Sequence, residues 1–276
     1  MKANNLTISV PFNGCDKNCP YCVSRMTGYI KSDAGLMKRN LKKVHHTADI
    51  AGVSSVLITG KGEPLLGYEN LLWLISEFCD FSCELQTNGI YLNNNRDSVK
   101  ELAETGLNVI AFSIDDLNTF KDYHGLFQAV RENGLLTRVT LNITNNIPEN
   151  TDFNDLISIA ENHFVDQLSL RNIVIPNNID LEKPEVSKTA DWIKLNVNPE
   201  LYPKLVDDLK TAVKKSGFLI RELPYGAKLY DYSGISVTFF DYCVQDAHTE
   251  DDIRSLIFQE DGHLYTNWNS IASRLF

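Results

Sequence analysis

Short apolar runs alternate with helix-like stretches over the first two thirds of the chain, and this alternation limits the possible folds more than any other feature. The runs rich in β-branched residues, which fit buried strands, are residues 6–10, 55–59, 84–87, 108–114, 138–143 and 167–175. The stretches that fit helices are residues 33–50, 69–78, 98–105, 117–132 and 152–162. Strands that alternate with helices lie parallel and are joined by right-handed crossovers. We therefore predict an α/β fold with a partial (β/α)6 TIM-like barrel, although the pattern alone does not exclude a flat doubly wound sheet.

The last hundred residues follow a different pattern. A polar connection over residues 176–191 precedes a helix pattern over residues 199–216. The strand-like pieces that follow are residues 217–222, 235–240, 255–259 and 263–266. An Asp-Gly pair at 261–262 marks a hairpin turn. With no flexible linker in sight, we predict a core of residues 1–176 and a C-terminal strand-rich extension of residues 177–276 packed against it.

Composition and charge limit the compartment and the partners. The chain is 43% hydrophobic, yet no apolar run approaches the roughly 18 residues of a membrane span. The first residues do not begin a signal peptide, so we expect a cytoplasmic protein that does not enter a membrane. In that reducing compartment, clustered cysteines bind metal more often than they form disulfides. The formal net charge of −10 argues against a nucleic-acid partner.

Three of the six cysteines, Cys15, Cys19 and Cys22, fall within one short stretch. They follow the first predicted strand, where α/β proteins place their chemistry. A disulfide would leave one thiol unpaired, and no nearby His or Cys supplies the fourth ligand of a structural zinc site. Closely set thiolates suit an iron–sulfur cluster, and three of them leave one iron open to a ligand from outside the protein.

The cysteine spacing resembles a known signature. Cys-x3-Cys-x2-Cys, with Tyr21 directly before the last cysteine, is similar to the motif of the radical S-adenosylmethionine (SAM) enzymes. The segment after the second predicted strand resembles the Gly-Gly-Glu-Pro motif of that family and consists of Gly60, Lys61, Gly62, Glu63 and Pro64. Glycines allow a ligand to approach the backbone closely. The resemblance covers residues 6–176, although each motif alone also fits an ordinary turn or strand end.

The resemblance implies a set of cofactor-binding residues. The three cysteines would hold a 4Fe-4S cluster, and SAM would bind its open iron. The residues that would contact SAM are Tyr21, Gly60, Gly62, Glu63, Pro64, Asn88, Ser113, Asp115, Asn142 and Arg171. Among them, Glu63 would help to hold the methionyl amino group, and Arg171 would pair with the carboxylate through a two-pronged contact. An inward Arg can also pair with a core acid.

The resemblance also implies an activity. One electron from the reduced cluster would cleave SAM to methionine and a 5′-deoxyadenosyl radical, which abstracts hydrogen from the substrate. An external donor such as flavodoxin or ferredoxin would supply the electron. We expect a small-molecule substrate, nucleotide-like compounds included, or a short peptide. Alternatives are a glycyl-radical enzyme activase, an RNA-modifying methyltransferase and, from a different class, a non-enzymatic iron–sulfur protein.

The remaining cysteines receive separate interpretations. Cys79 and Cys83 lie just before the third predicted strand, away from the loop ends where chemistry is expected, and we interpret them as buried structural residues. Cys243 lies in the extension among Asp241, Asp246 and His248. It is a candidate catalytic residue that donates a hydrogen atom to a product radical, and a small core residue is the alternative. The extension itself would cover the active site and determine specificity.

Overall fold

The computed structural model describes residues 2–177, 179–222, 228–240 and 253–276. Its strands are β1 (Ala3–Val10), β2 (Ser55–Gly60), β3 (Ser82–Thr87), β4 (Leu107–Ile114), β5 (Leu136–Ile143), β6 (Gln167–Asn172), β7 (Phe218–Glu222), β8 (Lys228–Tyr232), β9 (Ile235–Phe240), β10 (Ile253–Phe258) and β11 (Leu264–Tyr265). Its helices are α1 (Val23–Thr27), α2 (Ala34–Ile50), α3 (Tyr68–Glu77), α4 (Ile90–Asn94), α5 (Ser98–Thr105), α6 (Asn118–Asp122), α7 (His124–Glu132), α8 (Phe153–Asn162), α9 (Pro184–Asn196) and α10 (Leu201–Ser216).

These strands form a single sheet in the order β11-β10-β1-β2-β3-β4-β5-β6-β9-β8-β7. Strands β1 to β6 are parallel neighbours in chain order, as expected for consecutive β/α units. The predicted α/β class, a partial TIM-like barrel followed by further strands, is confirmed. Parallel strands bring their carboxyl ends to one rim, and the loops at that rim carry the candidate site.

The strands that follow residue 176 extend this sheet at both edges. Strand β10 pairs in parallel with β1, and β9 pairs in parallel with β6, so eight consecutive strands run in the same direction. Antiparallel strands β8 and β7 continue one edge, and β11 continues the other. The domain boundary at residue 176 and the covering role of residues 177–276 stay predictions.

Several element boundaries differ from those predicted. The stretch over residues 176–191 is not entirely a connection, because α9 begins in it at Pro184, where proline fits the first turn of a helix. The helix predicted over residues 117–132 is divided at Tyr123 into α6 and α7. Strand β6 ends at Asn172, earlier than predicted. Strand β8 was not predicted, because the charged residues Lys228 and Asp231 interrupt its five-residue sequence.

The two faces of the parallel sheet differ in polarity. On β5, Val139 and Leu141 belong to the main hydrophobic core, and Arg138, Thr140 and Asn142 alternate with them on the opposite, inner face. The polar inner-face residues contributed by the neighbouring strands are Thr7, Ser9, Glu84, Gln86, Ser113, Ser169 and Arg171. TIM barrels usually fill this space with branched apolar side chains. The inner face here is therefore suited to a polar ligand.

Candidate active site

The cysteine loop, residues 11–22, connects β1 with α1 at the carboxyl rim of the sheet. Cys15 is exposed, whereas Cys19 and Cys22 are half-buried. The Cys22 N–H donates to Cys19 O at 3.2 Å, which folds the end of the loop into a turn. Burial raises the pKa of the Cys15 and Cys19 thiols. Because iron binds thiolates, binding must release the protons that these thiols hold at neutral pH.

The donor set of the cysteine loop fits an iron–sulfur cluster. Three soft thiols on one loop match the ligand preference of such clusters. Across the described residues, no three His, Cys, Asp or Glu side chains converge closely enough to hold one metal ion. A cubane cluster does not require such convergence, since each cysteine binds a different iron.

The turn formed by residues 60–64 packs against the backbone of the cysteine loop. The Glu63 N–H donates to Gly14 O at 3.0 Å, one residue before Cys15. A Cβ atom at Gly62 would lie 2.9 Å from Phe12 Cε2 and far inside van der Waals distance of Gly14 O. Only glycine fits at position 62, because the backbones of the turn and the loop approach each other so closely. This contact sets the position of the cysteine loop relative to the turn.

Glu63 connects this turn to the end of β3. One carboxylate oxygen accepts hydrogen bonds from Thr87 Oγ1 (2.7 Å) and the Leu65 N–H (3.2 Å), and the other accepts one from the Asn88 N–H (2.9 Å). The side chain is buried, and burial raises the pKa of its carboxyl while these donors act in the opposite direction. Glu63 thus joins two rim loops, and its contact with SAM stays a prediction.

Replacing Glu63 with alanine is expected to destabilise the protein by about 3 kcal/mol, since it leaves two buried amides and one hydroxyl without their acceptor. Urea denaturation of the cluster-free protein measures this free energy of unfolding. The matched control is Glu69→Ala, because Glu69 is an exposed acid in the first turn of α3. A Glu63 variant as stable as the Glu69 variant would contradict the bracing role.

Asn88 places the end of β3 against the cysteine loop. Its Nδ2 donates to Asp16 Oδ1 at 2.7 Å and lies 4.0 Å from Cys15 Sγ. Its carbonyl oxygen accepts from the Tyr123 hydroxyl at 3.2 Å, which fixes the backbone at this point. The predicted residue Asn88 is therefore adjacent to the first of the three thiols.

Asp115, which directly follows β4, holds the other side of the loop. It accepts a hydrogen bond from the Tyr21 hydroxyl at 2.7 Å and pairs with Lys17 Nζ at 2.8 Å. Burial, followed by the negative charges of Cys19 and Asp115, raises the pKa of Tyr21. The Tyr21 ring also packs against Trp192 of α9, with 5.5 Å between ring centres. A helix from the C-terminal extension thus contacts the candidate site.

Asp115→Ala removes the shared partner of Tyr21 and Lys17, and we expect a loss of about 1–2 kcal/mol of loop stability. A looser loop exposes the cluster, so a chelator should remove iron from the reconstituted variant roughly tenfold faster than from wild type. The control is Asp116→Ala, because the Asp116 carboxylate accepts hydrogen bonds from Asn118 instead. Equal rates of iron loss in the two variants would contradict the assignment.

A second group of predicted residues lies on the inner face of β4, β5 and β6. Asn142 Nδ2 donates to Ser113 Oγ at 3.0 Å, and Arg171 stands next to Asn142 in register. Burial raises the pKa of Glu84, while the positive charges of Arg138 and Arg171 oppose that shift. Arg138 forms an ion pair with Glu84, so this polar face carries both signs of charge.

Sequence reasoning missed Glu260 as a support of the site. Its carboxylate accepts hydrogen bonds from the Phe12 N–H (2.7 Å) and from Ser32 Oγ (2.8 Å). Phe12 and Glu260 are 248 positions apart, and the sequence around Glu260 indicated only a hairpin turn. Candidate catalytic residue Cys243 lies within residues 241–252, outside the described residues, and so do the neighbouring Asp241, Asp246 and His248.

The other cysteines lie away from the loop motifs, as the sequence suggested. Cys83 is buried on β3, and its thiol contacts Phe78 O at 3.1 Å. Burial raises the pKa of Cys83 to about 12, so this thiol is protonated and unreactive at neutral pH. Cys79 is exposed, which differs from the buried position expected for it.

Comparison with known families tests the resemblance that the sequence suggested. A family model described as the Radical SAM superfamily matches residues 9–157, just over half of the chain. The chain belongs to the radical SAM superfamily. This radical SAM protein is therefore an enzyme of a family that uses a 4Fe-4S cluster and SAM, which confirms both predicted cofactors.

Individual relatives show how far the similarity extends. GTP 3′,8-cyclase from Clostridium perfringens is 30% identical over 186 residues, which cover 65% of this chain and 54% of the cyclase. The chain thus spans about half the length of such curated relatives. The structure of anSMEcpe with bound AdoMet and Kp18Cys peptide has a TM-score of 0.64 at 14% identity, with 98% of this chain and 76% of that one covered.

A second structural neighbour has a similar fold. Streptococcus suis SuiB bound to the precursor peptide SuiA has a TM-score of 0.58 at 14% identity, with 96% of this chain and 60% of that one covered. At this identity the similarity establishes the fold of the radical SAM protein alone. None of the helices in the described part of the chain is long and apolar enough to cross a membrane.

Proposed function

We propose that this enzyme binds a 4Fe-4S cluster through Cys15, Cys19 and Cys22 and cleaves SAM reductively. When bound, the cluster supplies one electron to SAM and yields the 5′-deoxyadenosyl radical that abstracts hydrogen from the substrate. The observation that carries this proposal is the bracing of the cysteine loop from two sides. Asn88 and Asp115 each bond to the loop at the rim of the sheet.

The chain's own residues would hold and orient SAM beside the loop. The glycines and Pro64 of the 60–64 turn present backbone close to the cysteine loop, where a methionyl group can reach it. Ser113 and Asn142 offer a hydrogen-bonded hydroxyl and amide on the inner face, suited to a ribose. Arg171, next to Asn142 in register, would bind the carboxylate of SAM through two parallel hydrogen bonds.

The polar inner face supports a polar small molecule as the substrate, with nucleotide-like compounds the first candidates. Arg138, Glu84 and Gln167 form a continuous set there, in which Arg138 pairs with Glu84 and donates from Nε to Gln167 Oε1 at 2.7 Å. Such groups recognise a ligand by hydrogen bonds and charge. A GTP cyclase among the relatives agrees with this choice, and the peptides bound to both structural neighbours make a peptide the second candidate.

The partners and compartment complete the proposal. Among the described residues, the cysteine loop is the one group of thiols suited to a cluster, so no second cluster there would pass on an electron. A cytoplasmic one-electron donor such as flavodoxin or ferredoxin would therefore reduce the cluster. The net charge of −10 supports neither RNA nor DNA as the substrate. A glycyl-radical enzyme activase would act on a large protein partner. The polar inner face favours a small-molecule substrate over such a partner.

The test is an anaerobic assay. The protein is reconstituted with iron and sulfide, reduced with dithionite and supplied with SAM, and 5′-deoxyadenosine and methionine are measured by mass-detected chromatography. We expect both products in equal amounts, with none when dithionite is omitted. Addition of GTP or of a peptide mixture should then identify which class accelerates the reaction. A fully loaded, reducible protein that forms neither product under any of these conditions would contradict reductive cleavage.

A further inference from the structure

Lys61 is a charged residue of the site for which the proposed function gives no role. It separates Gly60 from Gly62 in the turn that supports the cysteine loop. The backbone of this turn is fixed by the Glu63 N–H, which donates to Gly14 O at 3.0 Å. The position of Lys61 relative to the loop is therefore set by the same contact that holds the loop above the sheet.

The Lys61 side chain runs from this turn to the helix that follows the last cysteine. Its Nζ donates to Thr27 Oγ1 at 2.9 Å, and Thr27 is the last residue of α1, which begins directly after Cys22. The same Nζ lies 6.0 Å from the centre of the Trp268 ring. The ammonium group thus lies near the end of the cysteine loop, between the 60–64 turn and helix α1.

Within the described part of the chain, this ammonium group has no carboxylate at ion-pair distance. Among the described residues, no acidic oxygen lies within 4.0 Å of Lys61 Nζ, whereas Lys17 of the loop is paired with Asp115 at 2.8 Å. The hydrogen bond to Thr27 uses one of three N–H donors. Burial lowers the pKa of Lys61, and the negative charges of Glu260 and Cys22 oppose this effect. Of the two groups that favour the charged form of Lys61, Cys22 belongs to the cysteine loop, and Glu260 accepts a hydrogen bond from Phe12 of the same loop.

We propose that Lys61 is the charge partner of the cluster and stabilises its reduced form. This inference rests on the proposed binding of the cluster by the cysteine loop. Each thiolate adds a negative charge to the cluster, and the electron taken from a one-electron donor adds another without a proton. A nearby positive charge stabilises the more negative state more strongly and so raises the midpoint potential. Lys61 thereby makes the cluster easier to reduce.

The experiment compares midpoint potentials without SAM. Wild type, Lys61→Met and Lys61→Arg are reconstituted anaerobically and titrated with dithionite, and the EPR signal of the reduced cluster is measured. We expect the reduction equilibrium of Lys61→Met to fall about tenfold, a shift of about 59 mV to more negative potential. Lys61→Arg retains the charge and should stay within roughly threefold of wild type.

Two further variants separate charge from packing. Thr27→Val removes the hydrogen bond but keeps the ammonium group, and we expect a potential close to that of wild type. Lys100→Met removes an exposed lysine of α5 and controls for net charge. An unchanged potential in a fully loaded Lys61→Met variant would overturn the inference. A shift of equal size in Lys61→Arg, Thr27→Val or Lys100→Met would overturn it as well.

A Lys61 variant that does not bind the cluster also bears on the inference. If Lys61→Met holds no cluster, Lys61→Gln, which keeps a polar group near Thr27, replaces it in the titration. Loss of the cluster from both neutral variants, with retention in Lys61→Arg, shows the same dependence on charge and supports the inference. Loss from all three variants contradicts it. A wild-type protein without any reducible cluster would overturn the proposed function first, and the inference with it.

Discussion

Cys19→Ala is expected to abolish both cluster binding and SAM cleavage. Removal of a partner in the outer shell of a metal site typically costs about 10–100-fold in affinity, and loss of a direct ligand removes more. We therefore expect cluster-bound iron and 5′-deoxyadenosine formation to fall to below about a hundredth of wild type. Iron and sulfide analysis, visible absorbance and the anaerobic assay measure these quantities.

Cys79→Ala is the matched control for this substitution. Cys79 is an exposed thiol outside the cysteine loop, so its loss should leave iron content and product formation unchanged. Cys15→Ala and Cys22→Ala should behave like Cys19→Ala, since a cubane held by three cysteines has no spare protein ligand. Full cluster content in any of the three loop variants would contradict the ligand assignment.

Gly62→Ala is expected to displace the cysteine loop without changing any cluster ligand. The new Cβ would overlap Gly14 O and contact Phe12 Cε2 at 2.9 Å. Because one of these neighbours is backbone, the strain is not relieved by rotating a side chain. We expect a loss of about 3 kcal/mol in the free energy of unfolding, at the upper end of the range for overpacking. Cluster occupancy after reconstitution should fall several-fold.

Gly67→Ala tests whether this effect is specific to the contact. A Cβ at Gly67 would meet Val10 Cγ1 at 3.7 Å, an ordinary van der Waals distance, and Gly67 does not need a positive φ. We expect its stability and cluster content to stay close to those of wild type, as measured by urea denaturation and iron analysis. A Gly62 variant that matches the Gly67 variant in both measurements would show that the close approach does not control the loop.

The parallel core of the fold was predictable because the pattern that marks each strand or helix lies within its own stretch of sequence. Each core strand carries apolar residues at alternate positions, and each intervening helix has its own periodicity. The positions of β9 and β10 at opposite edges of the core were not predictable in the same way. Both pair with strands far away in the chain, β6 and β1, and nothing in either segment specifies such a partner.

The site was predictable where a motif marks it and not where support comes from a distant loop. Cys15, Gly62 and Asn88 belong to recognisable motifs, and the structure brings these motifs together at one rim. Glu260 and Thr27 belong to no motif, and their roles depend on three-dimensional contacts with Phe12 and Lys61. Spacing in the sequence reports which residues share a loop, but it does not report which loops touch.

The most direct test of the central claim is the EPR spectrum of the reduced, reconstituted enzyme with and without SAM. If Cys15, Cys19 and Cys22 leave one iron open, SAM binds that iron and changes the g-values of the signal. We expect such a change in wild type and the same change in Cys79→Ala, and we expect no comparable signal in Cys19→Ala. A fully loaded wild-type cluster whose spectrum does not change at saturating SAM would contradict the claim that this loop presents an open iron to the cofactor.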